Sequence, residues 1–437
     1  MNNKSIVIVG AGISGLTIGY ELVKKGFKVV VVEKENTVGG LAKSFKYDSC
    51  TFDIGPHRFF TSVSWITRFI KRILRDDIVT IPRDSKVYFK GKYHQWPLRP
   101  NIFFNLPLSF QVKTVRDLIF KIFKKNKNAS NFQEGVLNNY GPTIYKSFFR
   151  EYTKKFMGIS PNMLDVDWAN TGMAMAIIDK QLPHTHLWDL FRLSIKPQLS
   201  PTLFLYPKGG IGSFCDNLME GIRKEGGIIL TGENIKNITC KNEKIQSLST
   251  NNETLECDKL IWTGSINDIA RLLNFSETNL KYLSLISYNI VLNNRTRDFF
   301  QWCYFGEKDI IFNRVTNPVM FDESLVPKNK SGLCVEVTCK ENDEVWNHPD
   351  KLVDRIKQDL IKVGLIGKRE DIDFTNIERV LNAYPIYDLG YSHRLRKVKN
   401  DLGIYKNLIL AGRTGLFWYK NMDECISNSF NIIRKCL

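Results

Sequence analysis

The sequence predicts an α/β fold in which one parallel-stranded domain is assembled from separated segments and carries two insertions, one helix-rich and one built on an antiparallel sheet. Three observations predict it. The chain opens with a strand, a glycine-rich turn, a helix and a second strand; two later stretches repeat a strand followed by glycine; and the stretches between them differ in periodicity. The 437 residues are enough for two or three packed lobes.

The opening segment has the pattern of a strand–helix–strand unit. Residues 6–9 are β-branched and indicate a buried strand, and residues 16–25 have helical periodicity. A second strand is predicted at residues 29–32. The link between the first strand and the helix contains a G-x-G-x-x-G motif, whose glycines are Gly10, Gly12 and Gly15.

Each part of this motif has a role in binding a dinucleotide. The first glycine permits the tight turn, the second lets backbone N–H groups approach a pyrophosphate, and the third lets the helix pack close to the strand. The pyrophosphate would lie at the positive end of the helix, beside Ile13 and Ser14. Glu33, at the tip of the second strand and next to Lys34, is placed to accept hydrogen bonds from a ribose 2′-hydroxyl.

The residues after this unit favour FAD over NAD. The stretch Asn-Thr-Val-Gly-Gly at residues 36–40 resembles the extended motif of the glutathione-reductase-like flavoproteins, in particular their amine-oxidase branch. The resemblance implies a Rossmann-like FAD-binding domain of glutathione-reductase type, with Gly40 and Leu41 at the cofactor. An ordinary turn stays the alternative interpretation of Gly39 and Gly40.

Two later segments are predicted to return to the FAD-binding domain. Residues 206–238 contain a glycine-rich turn, an amphipathic helix and strand patterns, and the resemblance places the backbone near Ile235 at the adenine. Residues 257–265 have the pattern of another parallel strand that ends in glycine.

The end of the chain is predicted to complete the flavin site. A buried strand at residues 408–411 is followed by Gly412 and then by a helix that starts near Met422 and Asp423. A helix N-terminus aimed at the flavin would stabilise negative charge on its reduced form. A capping aspartate without a ligand is the alternative for Asp423.

These segments divide the chain into three predicted domains. Residues 1–70, 200–265 and 395–437 would form a discontinuous FAD-binding domain. Residues 71–199 are predicted to be a helix-rich insertion or cap, and residues 266–394 an antiparallel β-sheet substrate domain. We expect the site in the cleft between them.

Four further stretches resemble the UDP-galactopyranose mutases of this superfamily, which also contains amine oxidases and protoporphyrinogen oxidases. The stretches are "GPHRF" at 55–59, "FNRVTNP" at 312–318, "AYPIYD" at 383–388 and "GRTGLFWYKNMD" at 412–423. The resemblance places Gly55, Pro56 and His57 at the flavin. It also implies the catalytic set His57, Arg314, Tyr384, Arg413 and Tyr419.

The resemblance implies FAD in its reduced form, a nucleotide-diphosphate sugar as substrate and a role in surface polysaccharide biosynthesis. In the mutases, N5 of the reduced flavin attacks the anomeric carbon, the diphosphate leaves, and the sugar recloses with the other ring size. External NAD(P)H or another reductant would supply the electrons. Arginine suits a departing diphosphate because its planar fork binds two phosphate oxygens, which favours Arg314 and Arg413.

Some interpretations stay open at this point. His57 is either a hydrogen-bonding partner of the flavin or a packed core histidine, and Arg58 either anchors its loop or reaches phosphate. The mutases usually have a second histidine where this chain has Phe60-Thr61. The rival function is an FAD-dependent oxidoreductase of the amine oxidase or protoporphyrinogen oxidase type, whose apolar substrate the 12% aromatic content would suit.

Composition limits the partners and the compartment. The net charge of +17 has no recognisable nucleic-acid module to explain it, so we expect no nucleic-acid partner. The basic run at residues 121–128 is either a solvated helix end or a peripheral contact with the inner face of a membrane. The nine cysteines have neither metal-site nor disulfide spacing, so we predict no metal and a cytoplasmic protein. No N-terminal leader pattern is evident.

Overall fold

The structure is a computed structural model that describes residues 4–96, 106–123, 129–171, 202–294, 300–368 and 371–437. Part of the predicted helix-rich insertion, residues 172–199, lies outside the described residues. None of the helices in the described part combines the length and apolar character that a bilayer crossing requires.

A five-stranded parallel sheet confirms the predicted Rossmann-like fold. Its strands come from three separated segments of the chain and are, in spatial order, Leu408–Leu410, Lys259–Trp262, Ser5–Val9, Lys28–Glu33 and Ile228–Thr231. The central strand is almost fully buried because helices cover the sheet. The helices that pack on one another there are Ile13–Val23, Gly212–Lys224 and Met422–Cys436.

Two local predictions need correction. The first helix begins at Ile13, directly after the glycine turn, three residues before the predicted start. Ile235 lies in the link that precedes Asn237–Lys241, which belongs to a separate three-stranded antiparallel sheet. Of residues 228–238, which follow the amphipathic helix, only Ile228–Thr231 form a strand of the parallel sheet, and this strand lies at its edge.

A second sheet has seven strands. In spatial order its strands are Ile372–Ile386, Lys281–Leu292, Ser331–Cys339, Arg314–Thr316, Trp302–Phe305, Ser85–Phe89 and Lys92–Trp96. All neighbours are antiparallel except Trp302–Phe305 and Ser85–Phe89, which run parallel. The antiparallel pairing predicted within residues 266–394 is thus extended by a hairpin from the preceding segment.

That hairpin was not predicted, although the sequence contains a signal for it. Its strands Ser85–Phe89 and Lys92–Trp96 are joined by Lys90 and Gly91, both of which have positive φ angles, 51° and 76°. Two consecutive residues of positive φ are typical of a type I′ turn, which suits the right-handed twist of paired strands.

The remaining described elements include helices and three small antiparallel sheets. The other described helices are Ser64–Leu74, Leu108–Phe123, Phe132–Ile144, Arg150–Met157, Ile266–Leu272, Glu344–Asn347, Val353–Lys362, Tyr391–Leu402 and Gly412–Gly415, with a π-helical turn at Tyr145–Phe149. Small antiparallel sheets pair Ser44–Tyr47 with Cys50–Asp53, Ile78–Pro82 with Leu203–Pro207, and Lys244–Ser249 with both Asn237–Lys241 and Thr254–Glu256.

Candidate active site

The turn after the first strand brings the N-terminus of helix Ile13–Val23 to the edge of the parallel sheet. Gly10 has a φ angle of +99°, and its N–H donates to the Val32 carbonyl at 2.7 Å. A Cβ atom at Gly15 would lie 2.0 Å from the Gly10 carbonyl oxygen, so only glycine permits this close approach. The first-turn N–H groups therefore point toward the space above the strand ends.

The Glu33 carboxylate is held in place at the tip of the second strand. Its Oε2 accepts a hydrogen bond from the Ala11 N–H at 2.7 Å, and its Oε1 accepts one from the Glu35 N–H at 3.0 Å. The side chain is buried. A buried carboxylate fixed by two backbone donors has its remaining lone pairs available for ligand hydroxyl groups.

A cavity of about 960 Å³ runs along this edge of the sheet. Most of the residues predicted to contact FAD line it: Gly10, Gly12, Ile13, Ser14, Glu33, Lys34, Gly40, Leu41, His57, Ile235, Gly412 and Met422. Pro56 and Asp423 line an adjoining smaller cavity, whereas Gly15 lies beneath the turn. The volume is at the upper end of the range for small-molecule sites.

The smaller cavity, of about 130 Å³, brings together all five residues predicted to be catalytic. They are His57, Arg314, Tyr384, Arg413 and Tyr419. His57, Arg413 and Met422 line both cavities, so the two cavities adjoin each other. We call this smaller space the arginine cavity.

Arg314 is paired with a carboxylate that sequence reasoning missed. Glu336 lies opposite Arg314 in the antiparallel sheet and is only 3% exposed. Its carboxylate accepts from Arg314 Nε and, at 2.7 Å, from Arg314 Nη2. Burial alone would lower the pKa of Arg314, but the charge of Glu336 outweighs it and raises that pKa well above its ordinary value. A lone acid in the apolar stretch "LCVEVTC" was the signal for this pair.

The loop that carries His57 packs directly on this ion pair. Gly55 has a φ angle of +68°, and a Cβ atom there would lie 2.7 Å from Arg314 Nη2. Arg314 Nη2 also lies 3.3 Å from the hydroxyl oxygen of Tyr384 and donates to it. The pair therefore sets the positions of both the Gly55 loop and a phenol that lines the cavity.

Arg413 faces the same cavity without a carboxylate partner among the described residues. Its Nη2 donates to the Ala383 carbonyl at 2.7 Å, and its buried Nε has no partner there. The guanidinium carbon lies 4.4 Å from the ring centre of Tyr419 and 5.1 Å from that of Tyr384. Cation–π contacts of this kind hold an arginine while its charge stays available to a ligand.

Arg58 is a second cation of this kind. Its guanidinium carbon lies 4.5 Å from the ring centre of Trp302 and 5.0 Å from that of Phe204, and Nη1 donates to the Pro56 carbonyl at 2.9 Å. Its buried Nε has no partner among the described residues. Burial lowers the pKa of Arg58 to about 10, so the side chain stays charged at neutral pH.

His57 is neutral in this setting. Burial, together with the charges of Arg314, Arg413 and Arg58, lowers the pKa of His57 to about 3. Its Nδ1 has no hydrogen-bond partner among the described residues. At neutral pH the ring can donate one hydrogen bond and accept one, but it has no second proton to give.

This shift predicts a pH dependence of stability. As the pH falls from 6.5 toward 3, the unfolded chain takes up a proton at His57 and the folded chain does not, so stability is lost. We expect His57→Gln to remove about 2–3 kcal/mol of the loss between pH 7 and 4.5, measured by urea unfolding at matched flavin content. The exposed His348→Gln is the control and should keep the wild-type loss; an equal loss in His57→Gln would contradict the prediction.

Aromatic rings close the far side of the arginine cavity. Tyr384 and Tyr419 stack with ring centres 5.7 Å apart, and Phe156 and Trp168 pack against them at 4.9 Å and 5.4 Å. Burial raises the pKa of both Tyr384 and Tyr419, so both phenols remain neutral donors. Beyond them lies an aromatic cavity of about 320 Å³, whose lining includes Tyr152, Phe156 and Trp168.

The C-terminal helix Met422–Cys436 begins where the 960 Å³ cavity and the arginine cavity meet. Asn421 caps it, and the Glu424 side chain accepts from the Asn421 N–H at 3.1 Å in a capping box. Burial and the neighbouring Glu424 raise the pKa of Asp423. Met422 lines the junction itself, so the positive end of this helix lies at the predicted flavin site.

Two curated relatives match part of the chain. A protein of Klebsiella pneumoniae named as a probable UDP-galactopyranose mutase is 26% identical over 173 residues, which cover 38% of this chain and 44% of the relative. A dTDP-fucopyranose mutase of Escherichia coli is 23% identical over 172 residues, which cover 36% of this chain and 42% of the relative. The matched part therefore spans less than half the length of either relative.

A solved structure and a family model each match much more of the chain than these two relatives do. A solved structure of reduced UDP-galactopyranose mutase superposes with a TM-score of 0.86 at 21% identity, covering 99% of this chain and 95% of that one. At this identity the likeness establishes the fold. The model of the flavin containing amine oxidoreductases matches residues 13–412. The chain therefore belongs to the flavin-containing amine oxidoreductase family.

Proposed function

We propose that this chain is a flavoenzyme that interconverts the pyranose and furanose forms of a nucleotide-diphosphate sugar, in the biosynthesis of a surface polysaccharide. The observation that carries the proposal is the arginine cavity. It adjoins the larger cavity and is lined by two arginines without carboxylate partners among the described residues, Arg58 and Arg413, and by the neutral phenols of Tyr384 and Tyr419. Such a site suits a ligand with two negative charges and several hydroxyl groups.

FAD is the cofactor that the family implies, and the residues present fit it. The 960 Å³ cavity offers a helix N-terminus for a pyrophosphate and the fixed Glu33 carboxylate for ribose hydroxyl groups. At its other end, His57 Nδ1 and Arg413 Nε are buried and without partners among the described residues. When bound and reduced, the flavin would supply the nucleophile for a ring isomerisation, a reaction without net redox change.

The side chains around the arginine cavity would bind and orient the sugar nucleotide. Arg58 and Arg413 would bind the oxygens of the diphosphate. The charge of Arg314 is neutralised by Glu336, and Arg314 would instead position Tyr384 through a hydrogen bond. Tyr384 and Tyr419 would donate hydrogen bonds without adding charge, so that a released diphosphate is kept close but not trapped. The packed rings of Phe156 and Trp168 limit the access of water.

Arg58 gives a prediction that separates binding from packing. Arg58→Met keeps most of the contact with Trp302 and Phe204 but removes the charge. We expect nucleoside diphosphate affinity to fall at least about tenfold, while nucleoside affinity is unchanged, because one charge-assisted contact is lost. Isothermal titration measures both. Arg58→Lys should recover part of the loss, and the exposed Arg68→Met should have no effect; equal losses for nucleoside and diphosphate would assign Arg58 to packing.

An FAD-dependent oxidoreductase is the second candidate, and the aromatic cavity favours it. Its lining of phenylalanine, tyrosine and tryptophan rings suits an apolar or cationic organic substrate. However, the charges of Arg58 and Arg413 in the arginine cavity would repel an amine, and an apolar substrate would leave both charges without a partner.

One experiment separates the two functions. The purified protein, reduced with dithionite under anaerobic conditions, is incubated with UDP-galactopyranose and with dTDP-fucopyranose, and the products are separated by chromatography. The proposal predicts a furanose product that depends on prior reduction. Oxidation of an amine or a porphyrinogen by the oxidised protein, with no isomerised sugar nucleotide from either substrate, would support the oxidoreductase instead.

A further inference from the structure

Helix Leu108–Phe123 presents its apolar side chains to the outside of the protein. Leu108, Val112, Val115 and Ile119 follow one another at intervals of three and four residues, which places them on one face. They and the neighbouring Phe120 are between 50% and 73% exposed. We call these five residues the outward stripe.

The inward face of the same helix is partly polar. Thr114 and Asp117 are buried beside Phe110. Thr114 Oγ1 donates to the Phe110 carbonyl at 2.9 Å, and Asp117 Oδ2 accepts from the Thr143 N–H at 2.8 Å. A helix that packs on a protein usually has its apolar stripe toward the core. Here the pattern is inverted, and the outward stripe is the exposed apolar surface that marks a contact with something outside the chain.

The charged residues next to the outward stripe indicate what kind of partner it contacts. Lys113 and Arg116 are exposed on its flank, and the only acidic residue of the helix is the buried Asp117, whose Oδ1 lies 3.5 Å from Arg116 Nη2. The sequence continues with Lys124, Lys125 and Lys127, and the whole chain has a net charge of +17. Bulky apolar residues flanked by cations match the headgroup region of an anionic bilayer. Pairing of two copies through this face would instead bring like cations together.

We propose that the outward stripe binds this protein peripherally to an anionic lipid surface. The stripe spans about 18 Å along the helix axis, long enough for one helix to lie in the interfacial plane. On the inner side of the helix, the ring centre of Phe110 lies 6.1 Å from that of Phe148, which lines the aromatic cavity. The bound membrane would thus lie on the same side of the protein as that cavity.

The test uses the full, flavin-loaded chain and co-sedimentation with vesicles of phosphatidylcholine, with and without phosphatidylglycerol. We expect binding to the anionic vesicles that weakens as salt is added. Replacing Val112, Val115 and Ile119 together with serine should reduce the binding at least about tenfold. Lys113→Gln should reduce it about fivefold.

Two control variants and a measurement of folding distinguish a loss of membrane binding from a loss of structure. Ile228→Ser and Lys25→Gln change exposed residues of the parallel-sheet domain and should bind like the wild type. The melting temperature and flavin absorbance show whether each variant is folded. Failure of the wild type to bind anionic vesicles, or full binding by the triple variant, would overturn the proposal. So would a dimer, found by light scattering, that the triple variant dissociates, because it would assign the stripe to a second copy.

Discussion

Replacing Glu336 with alanine is expected to lower the free energy of unfolding by about 3–5 kcal/mol, because the substitution leaves the buried Arg314 without its carboxylate. Both side chains are largely buried, with 13% and 3% of their surface exposed, so solvent cannot replace the lost partner. The Gly55 loop, which packs on the pair, should also lose its position. Urea unfolding followed by tryptophan fluorescence measures the change.

A double variant provides the control for this prediction. In Arg314→Met/Glu336→Leu neither charge is present, and we expect most of the lost stability to return, since apolar residues of similar size can replace a buried pair. Glu336→Gln should fall between the wild type and the alanine variant because it keeps the shape and one acceptor. A loss below about 1 kcal/mol in Glu336→Ala would mean that Arg314 finds solvent or another acceptor, against the pairing described above.

If the proposed function is right, replacing Arg413 with methionine is expected to lower kcat/KM for the sugar nucleotide about 10²–10³-fold, and nucleoside diphosphate affinity by a similar factor. The reason is the loss of a desolvated contact between a guanidinium and a phosphate, which is worth about 3–4 kcal/mol. Steady-state kinetics on the reduced enzyme and isothermal titration with the diphosphate are the two measurements.

The controls for Arg413 must separate an effect on flavin binding from an effect on phosphate binding. Because Arg413 lines the flavin cavity as well, flavin content is measured in each preparation and the rates are compared per bound flavin. Arg223→Met removes an exposed arginine of helix Gly212–Lys224, whose ion pair with Glu220 lies on the surface, and should leave the kinetics unchanged. A change in KM with unaltered diphosphate affinity would remove Arg413 from the phosphate contact.

Local sequence patterns predicted the glycine turn at the candidate site, whereas the family resemblance predicted the residues of the arginine cavity. The spacing of Gly10, Gly12 and Gly15 follows from a turn between adjacent elements, and the structure places this turn at the large cavity. Helix and strand periodicity likewise predicted the parallel sheet. The addition of the hairpin Ser85–Phe89 and Lys92–Trp96 to the second sheet was not predicted, because its partner strand Trp302–Phe305 lies more than two hundred residues later and no local pattern reports a pairing at that distance.

The sequence by itself determined the βαβ unit, the order of the segments that build the flavin domain and the identities of the arginines at the predicted site. The tertiary structure decided which of those arginines is neutralised. Arg314 and Arg413 are alike as residue types, but a cross-strand register places Glu336 against the first alone and leaves the second facing a cavity between two phenol rings. Net charge in a buried site depends on distances between residues far apart in the chain, and folding sets those distances.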